Sequence, residues 1–192
     1  MAASFRTVTV VADAHRAQAD ALGCAFQEAI APATVDYDFG HIRDAAARLP
    51  DSDIVRMVRG WTLREQAPIV VMALSLKEAV RQALPPETGQ ASFWDTVERE
   101  LVAAFTNLEA TEGEPGLAYY EEGPERTSYY RDLLFALQDE EAGPYLYAIA
   151  FCADVTVDLG TSRVRALSPR DTAPFAVRLN AIVVRQKLAN AV

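Results

Sequence analysis

Cysteine, histidine and tryptophan each occur only twice in this 192-residue chain, and glycine only nine times. Two cysteines, Cys24 and Cys152, cannot build a disulfide framework, and each sits in an apolar neighbourhood where free thiols are commonly buried. His15 and His41 lie in separate segments, with no cysteine or carboxylate spaced around them as a metal set, so both read as surface or capping residues. The few glycines form neither a phosphate-cradling loop nor a Gly-x-Ser-x-Gly elbow. Paired carboxylates do occur, at Glu121-Glu122 and Asp139-Glu140-Glu141, but in turn-like contexts where they keep strand ends solvated. No enzyme, cofactor or metal centre is expected. No apolar stretch reaches the ~20 residues of a membrane-spanning helix. The N-terminus "MAASFRTVTVVAD" lacks a basic region followed by a long apolar core, so no Sec-type signal is evident, and secretion or release from the producing cell would need another route.

Positive charge is also short, with 18 Lys and Arg against 27 Asp and Glu, a formal net charge of −9. Such a balance argues against nucleic acid as a partner, because phosphate binding wants a basic face. The charges are segregated, however. Ten acids fall between Glu109 and Glu141, where the only bases are Arg126 and Arg131. After Leu159 the bias reverses, with Arg163, Arg165, Arg170, Arg178, Arg185 and Lys187 against Asp171 alone. Two readings fit: complementary solvated surfaces on neighbouring strands, or a basic edge that meets lipid headgroups through Arg163, Arg165, Arg170, Arg185 and Lys187.

What the chain has in quantity is apolar side chains, 51% by composition, in patterns that change halfway along. A short β-type run, "FRTVTVV", opens the chain. Asp13 stands where an N-cap belongs, and "AHRAQADALGCAFQEAI" follows with helical spacing, stopped by Pro32. A shorter helix is expected from near Gly40 to Leu49, making a helical hairpin with the first. "DIVRMVRGW" reads as a strand. "REQAPIVVMALSLKEAVRQAL" then keeps helix spacing to Pro85-Pro86, and a further helix from Ser92 to Leu108 carries the stripe Phe93, Val97, Leu101, Phe105, Leu108. From Leu117 onward the pattern is β: "LAYYEE", "TSYYRDLLFALQ", "PYLYAIAFCADVTVDL", "RVRALS" and "PFAVRLNAIVVRQKL", separated by Gly and Pro turn signals. Helices first and strands second predict a single α+β domain over 1–192, a three-layer sandwich with a mainly antiparallel sheet between two helical hairpins. Only such double cover explains "LLFALQ" and "YLYAIAF", which do not alternate apolar with polar as a half-wetted strand would.

The residues also carry a family resemblance. "TSYYRDLLFALQDEEAGPYLYAIAFCADVTV", followed by a short basic strand and "SPRDTAPFAVRLNAIVV", resembles the strand core of the Cyt cytolytic delta-endotoxins. "AFTNLE" at 104–109 is similar to the end of that family's second helical hairpin, and "AFQEAIAPATVDYDFG" at 25–40 to its first-helix exit. The pieces occur in the same order and cover nearly the whole chain. The resemblance implies direct lipid binding and permeabilisation by pore formation or detergent-like disruption; an inserted sheet must also satisfy its edges, which favours self-association on the membrane. Strand residues Tyr129, Leu133, Leu134, Phe135, Leu137, Tyr145, Tyr147, Ile149, Phe151, Val155, Val157, Phe175, Val177, Leu179, Ile182 and Val184 become the expected membrane-inserting set. A non-lytic storage or host-interaction protein that keeps the same fold is the alternative.

Overall fold

The computed structural model describes residues 5–29, 38–84, 91–138 and 144–189. The helix stops expected at Pro32 and Pro85-Pro86, the turn glycine Gly143 and the Ser92 and Phe93 side chains lie outside what is described. The elements run β1 (Arg6–Val10), α1 (Arg16–Ala29), α2 (Phe39–Arg48), β2 (Ser52–Pro68), α3 (Ile69–Gln82), α4 (Ala91–Phe105), β3 (Leu117–Glu122), β4 (Thr127–Gln138), β5 (Tyr145–Val157), α5 (Thr161–Arg165) and β6 (Thr172–Lys187).

The strands form one six-stranded sheet in the order β1-β4-β5-β6-β2. β3 also pairs with β4, on the same edge as β1. The two short strands lie end to end: β3 runs antiparallel along Thr127–Arg131 and β1 parallel along Leu133–Leu137. They meet at Gly116, whose carbonyl accepts the Asp132 N–H at 2.8 Å. A Cβ there would stand 2.1 Å from the Asp132 carbonyl oxygen, and Gly116 holds φ +78°, so the junction requires glycine. "FRTVTVV" thus closes onto its own sheet.

Each helical hairpin covers one face. Odd positions of β4 and β5, with their β6 neighbours, pack under α3 and α4; Leu134, Ala136, Leu146, Ala148, Ala150, Ile182 and Val184 pack under α1 and α2. The expected three-layer α+β sandwich is therefore the architecture, with one parallel pair in an otherwise antiparallel sheet.

Local departures have local causes. Asp13 does not cap α1: it opens a separate 3-10 turn whose preceding residue, Ala12, supplies no side-chain cap. A side-chain cap is made instead at α2, where the Asp38 carboxylate accepts from the Gly40 and His41 N–H groups at 2.8 and 3.1 Å. Those backbone bonds, His41's foremost, hold its pKa below the ordinary carboxylate value. β2 runs well past Trp61, bending at irregularities between Ile54/Arg56 and Val58/Trp61. Arg64–Ala67 belong to this strand, because Pro68 cannot sit inside a helix; α3 starts just after it and donates its first N–H groups to Asp171 and Pro169 carbonyls at 3.0 Å. "RVRALS" is not a strand either. Val164 and Leu167, three residues apart, are its buried positions, and that spacing suits the helical turn of α5. Cys152 is buried as expected, whereas Cys24 is exposed on α1.

Candidate membrane-active sheet

β4, β5 and β6 have 12, 13 and 16 residues, each above the ~9–11 that a tilted strand needs to cross a bilayer. Among the described residues no helix is long and apolar enough to do so. The two faces of these strands differ in kind. Under α3 and α4 lie thirteen large side chains of the three strands: Tyr129, Leu133, Phe135, Leu137, Tyr147, Ile149, Phe151, Val155, Val157, Phe175, Val177, Leu179 and Val183. Phe135 and Phe151 meet edge to face, 6.3 Å between centroids. Under α1 and α2 the apolar set is smaller and richer in alanine, and it covers only part of the face. The remainder of that face carries Asp132, Asp154, Thr156, Arg178 and Asn180, all half-buried or exposed.

Of the sixteen residues expected to insert, twelve therefore line the α3–α4 face and Leu134, Ile182 and Val184 the opposite one; Tyr145 is partly buried at the edge of the larger cluster. The alternation that assigns faces is invisible in "LLFALQ" because both parities are apolar there.

A fully buried charge breaks the apolar face. Arg131 is fully buried, and its Nη2 stands 3.6 Å from Glu114. None of its three guanidinium nitrogens makes a hydrogen bond within the structure. Glu114 also faces Arg6 at 3.9 Å, and Arg6 reaches Glu100 of α4 at 3.3 Å. These contacts link β1, β4, α4 and the loop before β3. Sequence inspection marks Arg131 as a charge inside a strand, but its partners come from segments distant in the chain and carry no pattern of their own.

The five expected headgroup residues fall into two groups. Arg163, Arg165 and Arg170 sit on α5 and the loop before β6; Arg185 and Lys187 sit at the far end of β6, roughly 50 Å along the strand from its start at ~3.3 Å per residue. Arg165 is held by Glu122 and Glu112 at 2.9 and 3.2 Å and lies over the Tyr119 ring. The acidic and basic halves of the chain do meet at this point. Burial raises the Tyr119 phenol above its usual pKa, against the lowering pull of Arg165. Arg185 pairs with Asp53 at 3.2 Å and covers the Tyr145 ring. Arg163, Arg170 and Lys187 are exposed and have no ion-pair partner among the described residues. No cluster of three or more His, Cys, Asp or Glu suited to a metal occurs among the described residues.

These features make up a long-stranded sheet, dry where it faces two amphipathic helical hairpins and partly polar on one side. A family model described as Bacillus thuringiensis toxin matches residues 1–192. The chain is 30% identical over 186 residues to the Type-2Bb cytolytic delta-endotoxin of Bacillus thuringiensis subsp. jegathesan, covering 97% of this chain and 71% of that protein. It is 29% identical over 185 residues to the Type-2Aa cytolytic delta-endotoxin of subsp. kyushuensis, covering 96% and 71%. The crystal structure of the activated Cyt2Ba monomer from subsp. israelensis superposes with a TM-score of 0.89 at 27% identity, over 97% of this chain and all of that one. The chain belongs to the Cyt delta-endotoxin family, whose members are membrane-active toxins and not enzymes.

Proposed function

We propose that the protein is a cytolysin that binds lipid directly and permeabilises bilayers by inserting β4, β5 and β6. The observation that carries this reading is the unequal character of the sheet's two faces. A transmembrane β-sheet needs one face apolar toward lipid and the other tolerant of water. The α3–α4 face supplies the first, and the α1–α2 face the second where it carries Asp132, Asp154, Thr156, Arg178 and Asn180, so over that part of the strands alternation takes the sense that a pore requires.

Energetics set the order of events. Uncovering thirteen large side chains to water at ~1.5–3 kcal/mol each would cost roughly 20–40 kcal/mol. That exceeds the ~5–15 kcal/mol that holds a domain together, so α3 and α4 leave only as hydrocarbon replaces them. Arg131 opposes this exchange, at ~2–4 kcal/mol near the bilayer midplane. Asp132, Asp154 and Arg178 lie on the other face, where a water-filled lumen accommodates them. The exposed Arg163, Arg170 and Lys187 are the headgroup contacts of this scheme, with Arg165 and Arg185 available once their carboxylate partners are exchanged for lipid phosphates. An inserted sheet must satisfy its edges, which calls for several copies closing together.

Dye release from phosphatidylcholine vesicles at micromolar protein tests the proposal. Release that rises steeply with protein concentration is expected. Intact vesicles after prolonged incubation, with the protein folded, would reject lysis in favour of a non-lytic relative.

A further inference from the structure

The part of the α1–α2 face that the hairpin leaves open is shaped as well as polar. Across it, cross-strand register places two parallel rows of side chains. Tyr130, Asp154, Arg178 and Thr62 follow one another from β4 to β2, and Thr156, Ala176 and Arg64 lie beside them in the next row. Ala176, the smallest member, floors a groove of about 350 Å³, at the small end of volumes that hold small molecules. Arg64 and Arg178 stand diagonally across this floor, close enough for two long side chains to reach one ligand group.

Their donors are largely uncommitted. Arg64 makes no ion pair with any described residue. Arg178 stands 3.8 Å from Asp154 Oδ2, beyond hydrogen-bond distance. Asp154 directs its Oδ1 elsewhere, accepting the Tyr120 hydroxyl at 2.7 Å. Tyr120, 47% exposed, stacks obliquely on Tyr130 with 4.6 Å between centroids, and so offers an open aromatic face next to Asp154, which lines the groove. Burial and the Asp154 carboxylate raise the Tyr120 phenol's pKa, which keeps it a donor to that carboxylate.

We infer that this groove binds an acidic monosaccharide unit, its carboxylate over Ala176 between Arg64 and Arg178 and its ring against Tyr120. A planar, bidentate guanidinium pair suits a carboxylate. Threonine hydroxyls and the Asp154 carboxylate suit ring hydroxyls, and an exposed tyrosine suits the apolar face of a pyranose. A bare anion would use the arginines but neither the tyrosine nor Asp154, which would repel it. The site would hold the helix-wrapped form of the protein at a glycan-bearing surface before any strand inserts, and it does not depend on lysis being the outcome.

The test is titration of the full chain with methyl glucuronide by NMR and calorimetry, with methyl glucoside as the neutral twin and inorganic sulfate as the bare anion. Glucuronide is expected to bind and to shift Tyr120, Thr62 and Thr156 signals, with the glucoside at least about tenfold weaker for loss of the charged hydrogen bonds and sulfate at least about tenfold weaker for loss of the ring contacts and repulsion by Asp154. R64A is expected to weaken glucuronide about tenfold, and A176L, which fills the floor without altering charge, to abolish binding while the spectrum stays folded. No binding by the parent, equal binding of the twin or of sulfate, or unchanged affinity in both variants would each overturn the inference. Dye release from saccharide-free vesicles reads the lytic proposal separately: R64A retaining full release would leave that reading standing whatever the titration gives.

Discussion

Arg131→Met is the substitution that separates the roles of the sheet's apolar face in water and in lipid. In water the side chain is fully buried with three nitrogens that make no hydrogen bond, and its nearest carboxylate, Glu114, is 42% exposed. Methionine has similar length and no donors, and Glu114 can remain hydrated when the guanidinium goes. Replacing a buried, poorly satisfied charge by a hydrophobic residue of similar size is often neutral or stabilising by about 1–4 kcal/mol. Thermal and urea unfolding should therefore show equal or higher stability. On a membrane the same residue faces lipid in the proposed insertion, where an arginine costs ~2–4 kcal/mol near the midplane. At about 1.4 kcal/mol per factor of ten, removing it favours insertion by roughly 30- to 1,000-fold. Allowing for a position closer to the interface, half-maximal dye release should move to at least about tenfold lower protein concentration. A variant that stays as stable as the parent yet releases dye no better, or worse, would refute the assignment of this face to lipid.

Other perturbations address the remaining parts. Arg178→Glu reverses a charge on the face assigned to water, and single-channel recordings should show a shift toward cation selectivity with folding unaffected; unchanged selectivity would remove that face from the lumen. Glu114→Ala takes away Arg131's nearest counter-charge while leaving the guanidinium buried, and should cost about 2–3 kcal/mol in urea unfolding, below the usual value for breaking a buried pair because Glu114 is half exposed. Gly116→Ala forces a Cβ to 2.1 Å from the Asp132 carbonyl at φ +78°, and should destabilise by about 3 kcal/mol or more in the same assay.

Much of this architecture can be read in advance, and the reasons for success and failure are physical. The bounds of β4 coincide with the run Thr127–Gln138, because aromatic residues and leucines fill it and turn-forming residues bound it. β2 was half visible: Pro68 ends any helix that begins at Arg64, but helical spacing in the residues after it obscures the strand before it. "RVRALS" alternates like a strand, yet the residues that decide its shape are the Thr161 hydroxyl docked on Gly123 and Thr127 and the sheet already complete beside it. β4, β5 and β6 are legible in the sequence as dry strands, but not the division of the sheet into an apolar face and a partly polar one. That division depends on which helical hairpin covers which parity, and α1–α2 falls short of the sheet's full length. The Arg131 surroundings and the Ala176 groove were beyond reach for the same reason: both arise from cross-strand register between segments far apart in sequence.

The two rims of the sheet are built differently, and this gives the molecule a polarity. One rim is the single strand β2, 17 residues long, anchored throughout by β6. The other is a mosaic in which β1 and β3, five and six residues long, each guard half of β4. Stripping either short piece bares only its own half, so that margin can be opened in stages while the opposite one stays whole. Copies that join margin to margin would consequently add in one sense around a ring, a continuous strand of one replacing two short strands of the next.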